Sequence, residues 1–537
     1  MTPRDASEAV SAATQYEFLI ALLIAIVLLE LVARRLRFPP AAAFILGGTA
    51  LALIPGVPSL SIDPDLVFVV FLPPLLMNGG YFTAWSEFRE NIVGIALLAI
   101  GAVAFTTAVV GVVAHFLAPG LPWAVCFALG AIVSPPDAVA AAAVLKRLSL
   151  PARLTATLQG ESLLNDASGL VLFRFAVAAA LTRAFSATKA AESFIVLAAG
   201  GIMFGSVVGA AGVAALRRLP DSKLAILATL LLPAIAYIGG EWLGVSGVLA
   251  TVSAGIFVGR QQHSVLTAAT RIRAHAFWDV LVFLLESTLF ILIGLALRDV
   301  LARLGGMRHA GATMWLAAGG VVAAVIVSRF VWLFGSYLSR VAAHRLWAGS
   351  VPRPSLAFAT IMGWAGMRGV VTLAAALSLP TSLPGRDFVL VTAFAVILVT
   401  VLVQGTTLGA LITAFRLSGA NEVAQRRESA DKAWARMMKA QYRATAEISR
   451  RPDGTERHPR LLEQYGRRAT LAASHLEDRE THQALKVEHH SAVLRAIGAG
   501  REEILRMHVG GLIHDEVLRS LEHELDLQQL VAESYLD

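Results

Sequence analysis

Glu161, Ser162, Asn165 and Asp166 lie in GESLLNDASGLVLF (160–173), at the head of a stretch that soon becomes almost wholly apolar. At helical spacing Glu161 and Asn165 stand four residues apart, as do Ser162 and Asp166, so all four can share one broad polar face. An ionised group buried without a partner costs many times what one hydrogen bond returns. Either this is a helix end standing in water, or the carboxylates serve chemistry. If the stretch is buried, one carboxylate needs a fixed cationic partner. Arg174, just beyond on the same run, is one candidate counterion, and Arg329 in VVAAVIVSRFVWLF (321–334) must itself find a carboxylate or carbonyl. Asn165 can donate a hydrogen bond beside Asp166 without adding charge.

Two further clusters have the same character. In GAIVSPPDAVAAAAVL (130–145), Asp137 follows Ser134, Pro135 and Pro136 inside an apolar window. Two prolines remove backbone donors and disfavour continuous helix, and irregular backbone at membrane depth must face protein or an aqueous cavity. An interrupted helix that delivers an acid near mid-membrane suits a transporter's substrate site; a kink that turns Asp137 into an aqueous vestibule is the plainer alternative. GWAGMRGVVTLAAAL (363–377) places Gly363, Gly366 and Gly369 around Arg368, a second expected interruption. Glu286, in FLLESTLFILIG (283–294), is an additional buried acid. A structural ion pair accounts for any one of these groups. Several acids and two arginines on separate spans fit an ion pathway together with the pairs that hold its helices.

The elements that must position these residues are membrane spans. The 537-residue chain is 56% hydrophobic and 15% charged, with mean hydropathy +0.67, far from the roughly 25% charged residues of soluble globules. A single cysteine, Cys126, excludes a disulfide framework, and no close Cys/His set suggests a zinc site. Windows long enough to cross roughly 30 Å of hydrocarbon fall near 15–33, 39–57, 62–82, 92–115, 121–144, 156–182, 191–216, 223–240, 243–259, 275–297, 311–340, 356–380 and 387–415, thirteen in all. The first ends in RRLR, with no small-residue cleavage site, so it reads as a retained span and not a signal peptide.

Charge supplies a topology. With the N-terminus outside, alternation puts seventeen basic residues on one side and six on the other. The richer side is cytoplasmic by the positive-inside rule, and an odd span count sends the C-terminus there. The chain's formal +7 therefore does not indicate nucleic acid: residues 421–537 hold 18 Lys and Arg against 20 Asp and Glu, so the excess belongs to the hydrophobic part. That last segment repeats apolar positions at helical spacing, as in 502–530, and reads as a soluble helical tail. Its His489, His490, His508 and His514 suit metal or pH sensing or, more simply, an ordinary surface.

The clusters, in this order, resemble the monovalent cation:proton antiporters of the CPA1 branch, the NhaP and Na+/H+-exchanger type. The matching pieces are FLPPLLMNGGYF (71–82), SPPDAVA (134–140), GESLLND (160–166), ESTLFILIG (286–294), SRF (328–330), GMRG (366–369) and VQGTT (403–407), spread over residues 15–415. GESLLND is the most specific piece, whereas SRF carries little weight alone.

The resemblance implies an all-α polytopic membrane protein with thirteen helices in inverted repeats. Its fifth and twelfth helices would be interrupted and cross, and it would work as a homodimer in the cell inner (plasma) membrane. Residues 1–420 would be the exchange domain and 421–537 a cytoplasmic regulatory tail. Asp166 would be the essential ion- and proton-binding carboxylate, with Asp137 and Ser162 completing a site for transported Na+. Asn165 would mark electroneutral exchange of one Na+ for one H+, Glu161 would pair with Arg329, and Arg368 would support the broken twelfth helix. No cofactor and no catalytic residue is implied; with no P-loop, two gradients would couple through mutually exclusive loading of one carboxylate.

Two departures matter. The family usually writes SPTDPVA where this chain has SPPDAVA, so Pro136 supplies a carbonyl but no hydroxyl and Ala138 replaces a proline. The family often has an acid in the stretch where this chain has Asn78. Both leave the choice among Na+, Li+ and K+ open. A K+/H+ exchanger of the same architecture, a cation channel and an intramembrane hydrolase built on Asp137 and Asp166 are the competing readings. Interrupted glycine-rich helices favour occlusion over a continuous pore, and the prolines and Asn165 do not identify a substrate-cleaving pair.

Overall fold

In the computed structural model the described residues are 3–36, 38–54, 67–137, 151–182, 186–303, 312–346, 355–415, 420–451, 455–477 and 479–534. The chain divides into two compact units, Met1–Gly419 and Ala420–Asp537. Helices α1 (Pro3–Leu36), α2 (Pro40–Ala52), α3 (Leu72–Tyr81), α4 (Trp85–Glu90), α5 (Ile92–Ala96), α6 (Val103–Leu117) and α7 (Trp123–Val133) form the first part of the larger unit. After residues 138–150, which lie outside the described set, come α8 (Ala152–Thr182), α9 (Ala187–Leu216), α10 (Ser222–Trp242), α11 (Gly247–Val265), α12 (Ala268–Arg303) and α13 (Ala312–Leu346). The unit closes with α14 (Leu356–Trp364), α15 (Val370–Leu377), α16 (Arg386–Val399) and α17 (Gly405–Ala414). Wider π-helical turns precede α3 (Val67–Phe71), join α5 to α6 (Leu97–Ala102) and join α16 to α17 (Thr400–Gln404).

Each of the thirteen apolar windows carries helix among the described residues. Among the described residues, eight helical segments are long and apolar enough to cross a membrane, including Arg153–Thr182, Thr313–Leu346 and Arg386–Ala414. Pro40–Ala52, Phe68–Tyr81 and Trp123–Val133 are apolar but shorter. The fifth and twelfth windows stop being helix where their sequences forbid it: α7 ends at Val133, directly before Ser134-Pro135-Pro136, and α14 and α15 are separated by Ala365–Gly369. Large apolar side chains such as Leu28, Met203, Val207 and Trp242 are exposed around the outside, as expected of faces whose solvent is hydrocarbon.

Two packing groups meet at α8. In one, α6, α7, α13, α15 and α16 bury Val110, Leu129, Val325, Ala376 and Val389 together with Phe173 of α8. In the other, α3, α9, α10, α11 and α12 bury Met77, Val208, Ala236, Ala254 and Trp278. Between them Leu163 and Ala167 of α8 lie in an apolar layer with Leu72 and Leu76 of α3, Tyr237 of α10 and Val248 and Val252 of α11. The named side chains of that layer other than Tyr237 are aliphatic, so Leu163 and Ala167 meet them by van der Waals contact.

The second unit is described by itself. It comprises α18 (Ala420–Ser449), α19 (Pro459–Glu477), α20 (Arg479–Val509) and α21 (Asp515–Glu533). Its buried side chains include Met438, Ala472, Ile497 and Ala532, and Arg501 reaches Asp526 across α20 and α21 at 2.5 Å. His489 and His514 are exposed, and His508 lies 3.2 Å from Asp515. No cluster of three or more His, Cys, Asp or Glu suited to a metal occurs among the described residues.

Candidate functional site

The site forms where the two helix breaks meet the middle of α8. Pro135 and Pro136 cannot donate backbone hydrogen bonds, so the last carbonyls of α7 have no partner of their own. Arg368 supplies one. Its Nε donates to Val133 O at 2.8 Å, its Nη2 to Ser134 O at 3.2 Å and its Nη1 to Gly366 O. The fully buried guanidinium thus sits at the negative end of the α7 dipole and ties the first break to the second. Asp137 N–H adds a backbone bond of 2.7 Å to Met367 O. The Arg368 backbone N–H is in turn held by Thr400 Oγ1 at 3.0 Å, at the start of the π-helical turn between α16 and α17.

The α8 helix enters from the other side. Asn165 is fully buried and donates through Nδ2 to Pro136 O at 2.6 Å, which fastens α8 to the first break. Its Oδ1 is buried and has no hydrogen-bond partner. Gly169, one turn along, lets Pro135 press against the helix backbone; a Cβ there would collide with the proline ring. Ser134 is anchored by Thr107, whose Oγ1 donates to Ser134 Oγ at 3.1 Å.

Asp166 is buried with 8% of its surface exposed, and Asp137 is half-buried. The two carboxylates stand close enough to interact electrostatically. Ser162, one turn before Asp166, is half-buried on the same helix. Two neighbouring acids, one of them buried, favour a compensating positive species, either a proton or a cation that accepts oxygen ligands. Glu161 is differently placed. Arg329 clamps it with two bonds, Nη1 to Oε1 at 2.6 Å and Nη2 to Oε2 at 2.9 Å, and donates a third from Nε to Met362 O at 3.0 Å. Both side chains are at least 96% buried. The two acids of GESLLND therefore have distinct settings: one is satisfied by a fixed guanidinium and the other faces Asp137.

The remaining sequence candidates fall outside this set. Arg174 does not serve as counterion to either acid; it reaches Glu241 on α10 at 2.8 Å. Glu286 is half-buried on α12 beside the buried Ser287, and Asn78 is half-buried on α3. Sequence reasoning missed Thr400, Thr107 and the Met362 and Met367 carbonyls. Backbone carbonyls carry no sequence signal, and a lone threonine in an apolar helix more often bonds its own preceding turn, as Thr400 Oγ1 also does to Val396 O.

Glycine at 369 has a specific reason. A Cβ there would fall on the Asp137 carboxylate, so only a residue without one leaves that acid where it is. Gly369→Ala is expected to fold, because the carboxylate can rotate aside, but to weaken binding of a cation at the two acids by about tenfold or more, the scale of a misplaced binding group. Titrating alkali cations against the purified variant checks this; an unchanged affinity would show that the position of Asp137 is immaterial.

A sequence profile described as the transmembrane sodium/hydrogen exchanger matches residues 18–414, most of the larger unit. The chain belongs to the sodium/hydrogen exchanger family. A Bacillus pumilus protein named sodium, potassium, lithium and rubidium/H+ antiporter is 33% identical over 377 residues, 67% of this chain and 56% of its own length. The chain thus spans little more than half of that relative. An uncharacterized Na+/H+ exchanger of Mycobacterium tuberculosis is 31% identical over 529 residues, 95% of both chains, so this chain's second unit has a counterpart there. Among solved structures, the sodium proton antiporter MjNhaP1 of Methanocaldococcus jannaschii aligns with a TM-score of 0.59 at 21% identity, covering 76% of this chain and all of that one. That likeness establishes a shared all-α polytopic fold with discontinuous helices.

Proposed function

We propose that this exchanger is a secondary antiporter that moves Na+ one way and H+ the other across a membrane, with the two ions competing for Asp166. The observation that carries the reading is the meeting of two helix breaks with α8. It gathers Asp137 and Asp166 while Arg368 and Asn165 satisfy the surrounding backbone. A hard cation takes oxygen ligands, and Asp137, Asp166 and Ser162 are the ligand set assigned here. When the cation is bound, the carboxylate cannot hold a proton; when the proton is bound, the site has lost the negative charge that holds the cation. Moving the loaded site from one side to the other then couples the gradients without ATP. One titratable acid at 166 beside the uncharged Asn165 gives one Na+ for one H+.

The same reading places thirteen spans, the C-terminus in the cytoplasm of a cell with the chain in its plasma membrane, and two copies per functional unit. The segment 421–537 is assigned a regulatory role. K+ and Li+ are further candidate substrates. The Bacillus pumilus relative is named for several alkali cations, and Pro136 offers a carbonyl where a hydroxyl would tighten the site.

A cation screen tests class and substrate together. Protein in sealed proteoliposomes with an internal pH dye should move protons when Na+ is added outside, with no imposed membrane potential and no change on clamping that potential at zero. Li+ and K+ pulses across pH rank the substrates. No proton movement with any alkali cation would overturn antiport; current carried by Na+ without proton movement would make the protein a channel.

A further inference from the structure

The one ion pair described between α8 and the α10–α11 region is Arg174 with Glu241, and it differs from the Glu161–Arg329 pair in every respect that bears on motion. Arg174 lies eight residues beyond Asp166 on α8, about 12 Å along the helix. Its Nη2 donates to Glu241 Oε2 at 2.8 Å, with side chains 53% and 31% exposed. Glu241 sits in the last turn of α10, and its other oxygen accepts the Gly247 N–H at 3.2 Å, at the start of α11. The α9 and α11 helices are locked together: the backbone of Gly205 meets that of Ala250, and Ser246 N–H donates to Leu197 O at 3.1 Å. Glu241 is therefore fixed to the second packing group, whereas Arg174 rides on the helix that carries Asp166.

Beside this pair lies a cleft of about 570 Å³ between α8 and α9, lined by Val171, Arg174, Phe175, Glu192, Ser193 and Gly244. Val171 is buried and is five residues from Asp166, about 7.5 Å along α8. The lining of the cleft thus comes within five residues of Asp166 along α8.

We propose that Arg174 and Glu241 are positioning residues that form a latch between the α8 group and the α9–α11 group, holding this cleft closed off from Asp166 in the conformation seen here and parting when Asp166 is exposed through the cleft. The inference rests on the alternating-access reading above. A half-exposed pair is weak enough to break in each cycle, which the buried bidentate pair is not.

The test uses Val171→Cys in a Cys126→Ala background, labelled in proteoliposomes by a membrane-impermeant maleimide. Arg174→Gln or Glu241→Gln should raise the labelling rate about two- to fivefold, the range an exposed ion pair supports. Each should also change the maximal exchange rate by a similar factor, with folded yield retained. Glu241→Gln keeps an oxygen for the Gly247 N–H, so its effect isolates the charge. The exchanged pair Arg174→Glu with Glu241→Arg should bring labelling back to the parent rate, and raising salt should increase labelling in the parent by screening. Labelling that ignores both substitutions and salt overturns the latch even when antiport is intact. Latch-sensitive labelling in a protein that moves no protons would overturn the antiport reading and leave the latch standing.

Discussion

Proteoliposomes carrying Asp166→Asn should show no proton movement on addition of Na+, a loss of at least about a hundredfold, on the scale of removing a group that must itself take up the reacting species. The substitution keeps the size of the side chain and leaves its hydrogen-bonding atoms nearly in place. On the proposed antiport it removes both the negative charge that would draw a cation to Asp166, which is 8% exposed, and the acid that would exchange a proton. Asp137→Asn removes one ligand charge but leaves Asp166 able to titrate, so exchange should persist with weakened Na+ dependence. The pair of results matters more than either alone: a fully active Asp166→Asn protein that elutes as folded would exclude this carboxylate as the carrier. Equal total loss in both variants would instead make the two acids a single unit.

Glu161→Ala should act on stability. It strips two charge-assisted bonds from Arg329 and leaves a guanidinium 4% exposed with the Met362 carbonyl as its described partner. An uncompensated buried charge of this kind costs about 3–5 kcal/mol, so the variant should give low folded yield and a clearly lowered melting temperature in detergent. Arg329→Ala should behave alike, because Glu161 is then the orphan. Replacing both by apolar residues of similar volume, Glu161→Leu with Arg329→Met, should recover much of the loss, since neither charge then remains to be satisfied. A Glu161→Ala protein with parental yield and melting temperature would count against the pair as a structural fixture. Asp166→Asn, by contrast, should fold normally. That opposition between two acids five residues apart is the sharpest consequence of their different partners.

Much of this was legible in the order of residue types. The apolar windows locate helix because crossing hydrocarbon demands a length and a composition that few other constraints impose. The Pro135-Pro136 pair and the glycines around Arg368 locate the two breaks, since proline lacks a donor and the freed carbonyls need partners. GESLLND marks a polar face on one helix, and its resemblance to exchangers assigns roles to Glu161 and Asp166. The early end of α7 was less visible: hydropathy continues through Pro135 and Pro136, whereas backbone hydrogen bonding does not.

What sequence by itself determined, then, is the class of molecule, the number of apolar windows and the helix interruptions, because each follows from local composition or from a residue's own backbone chemistry; burial of each charge did not follow, since Glu286, expected to be buried, is half-buried. Only the tertiary structure decided who pairs with whom. Arg174 and Arg329 are both cations in apolar runs, and nothing in their neighbours says that the first meets Glu241 and the second Glu161, 168 residues away. Nor could sequence show that Arg368 reaches back 235 residues to the Val133 carbonyl or that Asn165 holds Pro136. Carbonyl acceptors look alike at every position, and a long flexible side chain takes the partner that folding brings within about 3 Å. The site is therefore written in residue types but assembled by helix crossing.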